Sequence, residues 1–162
     1  MNLRAAMNGS SLPRGLQIGS LLTLIAGLFV FSVAAHDYVN FYVGLTHPSE
    51  PWRSSGFAPS NYSLDDIRAF DPSVADDFVK AQHIEFANVI NTGALVTVIT
   101  VFGLRRFQKW AWYTLLAIFL WVGLNDAVAL LQEHQVPLPL IPEVIGLSGL
   151  FIARSSIFGR AT

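Results

Sequence analysis

The chain has 162 residues and no cysteine; 52% of it is hydrophobic and 13% is charged, about half the charged share of a soluble domain. Ten basic residues against 11 acidic ones leave a net charge of −1. No nucleic-acid partner is expected, because that needs a basic surface. The missing thiols exclude a disulfide framework, a thiolate metal site and a cysteine nucleophile. A chain this apolar cannot cover itself with polar surface. It is expected to be all-α, a single transmembrane domain over residues 1–162, folded as an integral membrane four-helix bundle.

The first predicted span is Leu16–Ala35, 20 residues without a charge, long enough as a helix to cross a bilayer core of about 30 Å. A rival reading takes Arg4, Arg14 and the run ending Val33-Ala34-Ala35 as a cleavable signal peptide. The length of the run favours a retained span, as does the polar pair His36-Asp37 placed where a helix should emerge.

The long loop between the first two spans, residues 36–85, divides in two. Residues 46–62 carry Pro48, Pro51, Gly56 and Pro59 and should be irregular. Ser63 lies three residues before Asp66, the spacing of a capping box, and Asp71-Pro72 pairs a helix cap with proline at the first helical position. No helix breaker follows, so one helix is predicted to run from Pro72 into span two, Phe86–Leu104. Its outer part carries an apolar side of Val74, Phe78, Val79 and Ala81. The segment Trp52–Phe57 is expected to cover that side as a lid, with a partner subunit as the alternative.

Span three, Trp110–Leu131, is interrupted by Asp126, and span four, Val136–Ala153, contains Glu143. The connections on either side of span three are short, so spans two and three, and three and four, should form antiparallel hairpins. With the N-terminus on one side, Arg4, Arg14, Arg105, Arg106, Lys109, Arg154 and Arg160 all fall there, with no acidic residue beside them. By the positive-inside rule that side is the cytoplasm. This makes a multi-pass protein of the inner (plasma) membrane with both termini cytoplasmic. Trp110 and Trp112 are expected at the inner headgroups, and Tyr38 and Tyr42 at the outer ones.

The polar residues inside the spans gather at the opposite ends, with His36, Asp37 and Asn40 on span one, His83, Glu85, Asn88 and Asn91 on span two, and Asn125 and Asp126 on span three. Asp126 is the deepest of these. A carboxyl at that depth needs a partner, and Asn88 and Asn91 on the neighbouring helix lie at a matching level. The candidate ligand or proton site is therefore Asp126, Asn125, Asn88, Asn91, Glu85, His36 and Asp37, with a helix–helix tie as the structural alternative. Glu143 follows Pro142 in a first helical turn, where the helix dipole alone accounts for a carboxylate. No metal or cofactor is expected: the Glu-x-x-His spacing of di-metal bundles is missing, and His83 and Glu85, two residues apart, point about 200° away from each other. Gly15-x-x-x-Gly19 matches a helix-packing motif of low specificity.

The short tails, the long first outer loop, the helix entering span two from outside and the turn Arg105-Arg106-Phe107-Gln108-Lys109-Trp110-Ala111-Trp112 resemble small four-helix inner-membrane proteins of bacteria that have no assigned role. The layout also resembles the sterol-isomerase and sigma-2-receptor superfamily, to whose membrane acidic residues Asp37, Glu85 and Asp126 would be the nearest matches. That family's Glu-x-x-x-Gln-x-Pro signature is replaced here by Asn88 and Asn91, so no activity is carried over. Two functions are expected from different classes. The first is a non-enzymatic accessory subunit that contacts, besides the lipid bilayer, a membrane protein partner or a second copy. The alternative is a ligand-binding protein or enzyme with an outward-facing polar cavity around Asp126.

Overall fold

A computed structural model describes residues 12–51, 63–133 and 140–159. They form five α-helices: α1 (Arg14–Thr46), α2 (Leu64–Phe70), α3 (Pro72–Phe102), α4 (Lys109–Glu133) and α5 (Leu140–Phe158). All but α2 are long and apolar enough to cross a membrane, which makes this an all-α, multi-pass membrane protein. The expected segment Trp52–Phe57 lies outside the described residues.

The capping signals act as read. Ser63 and Asp66 form the reciprocal capping box of α2, and Asp71 accepts from Ser73 N at the start of α3, with Pro72 in the first turn. The backbone and hydroxyl hydrogen bonds from Ser63 hold the Asp66 carboxyl below the usual carboxylate range, and the Ser73 hydroxyl and amide do the same for Asp71. α3 then runs unbroken for 31 residues. α2 packs back on its start with Leu64 and Ala75 both buried, while of the expected apolar side Val74 is exposed and Phe78 and Val79 are half-buried.

α1 is longer than the span expected of it, continuing helical for eleven residues past Ala35 to Thr46. It is also the centre of the bundle, packing along its length on both α3 and α5. Glycine makes both approaches possible. A Cβ on Gly19 would strike the Gly149 carbonyl oxygen, and one on Gly93 would sit 2.8 Å from Phe31 Cα. Gly27 faces Val96 and Thr97 in the same way. With side chains this small, the backbones come close enough for dispersion contact, which holds membrane helices together where burial from water contributes nothing. The Gly15-x-x-x-Gly19 motif is thus used, against Ile152, Ser156, Gly149 and Ala153 of α5. A chain cut after Ala35 would lose the helix on which both neighbours pack.

On its other side α5 meets α4 antiparallel. Phe119 fills the space above Gly146, and Trp112 Nε1 donates to the Leu150 carbonyl at 2.8 Å. Trp112 is therefore a buried tie between helices and not a headgroup anchor, whereas Trp110, two residues earlier and on another face, is 54% exposed. The spatial order is α3, α1, α5, α4. The gap in the ring falls between α3 and α4, which touch mainly near their connecting turn. That turn is a 3-10 segment, Leu104–Arg106, closed by Phe107 in the left-handed region (φ 59°). The expected hairpin of spans two and three is antiparallel but splayed.

Leu16, Val96, Ile99, Leu104, Leu115, Leu150 and Ile157 belong to one buried cluster in the half of the bundle that carries Arg14, Arg105, Arg106, Lys109 and Arg154. Gly19→Leu should push α1 off α5 and destabilise the bundle by about 1–3 kcal/mol, the range for overpacking, while Leu28→Ala on the exposed face of α1 should change little. Reversible unfolding in mixed micelles measures both. Equal effects would mean that the Gly19 crossing is not where the helices hold.

Candidate functional site

The opposite half is hollow. A cavity of about 760 Å³ lies there, walled by all four spanning helices, including α3 and α4 on either side of the gap. Its sides are mainly apolar, with Val30, Val33 and Ala34 of α1, Val89 of α3 and Trp121 and Val122 of α4 among them. The volume is within the range of small-molecule sites, about 300–1,000 Å³. The hollow follows from side-chain size. α1 meets its neighbours through glycine, whereas α3 and α4 present Ile84, Phe86, Val89, Trp121 and Val122 toward the cavity and stand apart.

Each spanning helix contributes one carboxyl to the lining: Asp37, Glu85, Asp126 and Glu143. Among the described residues, no lysine, arginine or histidine lines it. Asp126 does not pair with Asn88 or Asn91, because the gap separates α3 from α4 at that level. Its neighbour is Glu143 of α5, whose carboxyl lies close enough for the two to interact. Glu143 is 4% exposed, and Gly123 leaves it room: a Cβ there would be 3.1 Å from Glu143 Oε2. Asp126 Oδ2 and Glu143 Oε1 remain buried without a hydrogen-bond partner among the described residues.

The other expected site residues divide. Asn88 and Asn125 line the cavity. Asn125 Nδ2 donates to the Trp121 carbonyl at 2.9 Å, and the Asn88 carbonyl accepts from the Thr92 hydroxyl at 2.8 Å. Asn91 is exposed on a face of α3 that does not reach the cavity. His36 is also outside it, with Nδ1 3.3 Å from Asp37 Oδ1 and 3.2 Å from Asn40 Nδ2. Asp37 itself is buried, and Glu85 accepts from Gln82 at 3.1 Å. Tyr38 and Tyr42, expected at the outer headgroups, converge on His83, their hydroxyls 3.3 and 3.4 Å from its Nδ1. Among the described residues no three His, Asp or Glu side chains come together as a metal site would need.

Glu143 is the residue that sequence reasoning set aside. Its place after Pro142 explained it locally, and nothing along the chain showed that α5 would turn it toward Asp126. The one available signal was that two of the deepest carboxyls sit on consecutive antiparallel helices. A double-mutant cycle checks the pair. Asp126→Leu and Glu143→Leu should each strand the remaining carboxyl, and the double variant should be more stable than the sum of the two losses, with a coupling of about 0.5–2 kcal/mol. Additive losses in detergent unfolding would mean that the two groups do not interact.

Comparison of the chain with protein-family models, with curated proteins and with solved structures finds no match, so the functional reading stands on this geometry alone.

Proposed function

We propose that the protein binds a bilayer-soluble molecule that lays its apolar body along the cavity wall and gives a hydrogen-bond donor to Asp126 and Glu143. The observation that carries this is the pair of buried oxygens without a partner among the described residues, Asp126 Oδ2 and Glu143 Oε1, at a mainly apolar cavity of about 760 Å³. Buried polar atoms without partners are costly in hydrocarbon surroundings and are rarely left so unless something meets them. The gap between α3 and α4, which pack on each other least along the bundle, is the route for a ligand arriving within the bilayer. The set of groups binds and orients; it contains no nucleophile poised beside a base, so no reaction is assigned.

The same gap supports a second reading, in which the protein is an accessory subunit and the gap receives a helix of a membrane partner or of a second copy. Exposed Leu120, Trp121, Leu124 and Val128 on α4 would form that contact. In either case the positive-inside rule orients the basic end, with both termini, toward the cytoplasm of a cell whose inner membrane holds the protein.

A long-chain alcohol carrying a photoreactive diazirine tests the choice in nanodiscs of zwitterionic lipid. Label is expected at Val30, Val33, Val89 and Val122, and Val89→Trp, which fills the cavity, should abolish it. Label confined to lipid-facing positions such as Leu21 and Leu28 overturns the binding reading, and a stable larger assembly in the same nanodiscs favours the accessory one. A reporter fused after Thr162 should be active only in the cytoplasm; activity on the other side would reverse the orientation.

A further inference from the structure

Every one of the 11 acidic residues belongs to the half of the bundle away from the turn at Leu104–Arg106. Along α5 the acid nearest to Arg154 is Glu143, eleven residues before it and so roughly 16 Å away. Among the described residues the ion pairs, His36–Asp37, Arg68–Asp65 and Lys80–Asp77, lie in the acidic half as well. The cations of the basic end therefore have no Asp or Glu of their own chain to meet. Aromatic rings draw two of them onto different helices. Arg106 sits over Phe102 of α3, 5.6 Å from the ring centre, and Lys109 Nζ sits over Phe158 of α5 at 5.7 Å. Arg154 comes one turn before Phe158 on α5, and Tyr113 one turn after Lys109 on α4, its ring 5.6 Å from that of Phe158.

These four residues make one patch where α4 and α5 run side by side, with Lys109 and Phe158 at the rim and Tyr113 and Arg154 one turn, about 6 Å, farther in. Arg154 is exposed on a spanning helix, at a depth where a guanidinium without a counter-charge is costly. Its stem lies along apolar surface while the head reaches for the rim. Tyr113 is exposed beside it. Guanidinium and ammonium are donors only, and the phenol hydroxyl can donate too. One helix begins here and the other ends, so their partial charges oppose and the side chains set the sign of the patch. Below it, Leu116 of α4 with Leu147 and Phe151 of α5 continue as an apolar track. We infer that this patch binds an anionic phospholipid of the leaflet at the basic end. Its phosphate lies between Lys109 and Arg154 and accepts from the Tyr113 hydroxyl, and its acyl chains follow Leu116, Leu147 and Phe151. A zwitterionic lipid brings its own ammonium to the phosphate and gains less from the two cations.

Titration of the full chain in detergent micelles with lipid, read by native mass spectrometry, tests this. Dioleoylphosphatidylglycerol should bind about twentyfold more tightly than dioleoylphosphatidylcholine, about fivefold for each cation at a membrane surface. Lys109→Gln and Arg154→Gln should each cut that ratio about fivefold, both being changes at exposed positions. Lys109→Arg, which keeps the charge, should retain it. Arg106→Gln removes a cation held on α3 and should change the ratio by less than about twofold, since exposed charges that far off are screened. Equal binding of the two lipids by the unaltered chain overturns the site. So does an equal loss in Arg106→Gln and Arg154→Gln, the mark of a diffuse basic field. Displacement of phosphatidylglycerol by an equal concentration of glycerol phosphate would make the soluble phosphate the ligand and overturn the lipid.

Discussion

The close approach of α1 to both α3 and α5 is the constraint from which the rest of the structure follows. In a bilayer, burial of apolar surface from water does not drive helices together, so contact depends on how near the backbones can come. Gly19 and Gly149 let α1 and α5 cross with almost nothing between them, and Gly27 and Gly93 do the same for α1 and α3. α4 has no such contact with α3. It is held from one side, by Phe119 over Gly146 and by the Trp112 hydrogen bond to Leu150. The bundle is therefore tight around α1 and open between the two helices that the chain connects most directly.

This asymmetry divides the molecule by height as well. Near the basic end, the turn at Gly103–Phe107 keeps α3 and α4 together, and Leu104, Leu115, Leu150 and Ile157 fill the interior. Farther up, the two helices diverge and large side chains line a hollow in place of filling it. The polar groups of the spans lie in this upper half. Two of them, Asp126 and Glu143, meet at the floor, where Asp126 Oδ2 and Glu143 Oε1 are buried without a hydrogen-bond partner among the described residues. Such a pair stabilises little by itself and is demanding about what comes next to it, which suits recognition better than rigidity.

Much of this was legible along the chain. The number of spans, the continuous helix from Pro72 and the capping of α2 and α3 are local or compositional properties, written in uncharged run lengths, Ser63 with Asp66, and Asp71 with Pro72. So was the gathering of polar residues at one end of the bundle, because depth along a helix is simply residue number times rise. Of the expected site, Asp37, Glu85, Asn88, Asn125 and Asp126 do share one cavity.

What the chain could not specify was which helices touch, and with which faces. Adjacency in sequence made α3 the natural partner of α4 and Asn88 or Asn91 that of Asp126. The glycines decided otherwise by drawing α3 and α5 onto α1. Rotation about the helix axis then turned Asn91 outward, buried Trp112 and brought Glu143 to Asp126. A hydropathy pattern records the length and depth of a membrane helix but hardly its rotation, since lipid and protein interior are equally apolar and no amphipathic stripe marks the inner face. Span count, depth and the sidedness of charge thus belong to the sequence by itself. The cavity, and the pair of carboxyls at its floor, exist only once close backbone packing has chosen the neighbours.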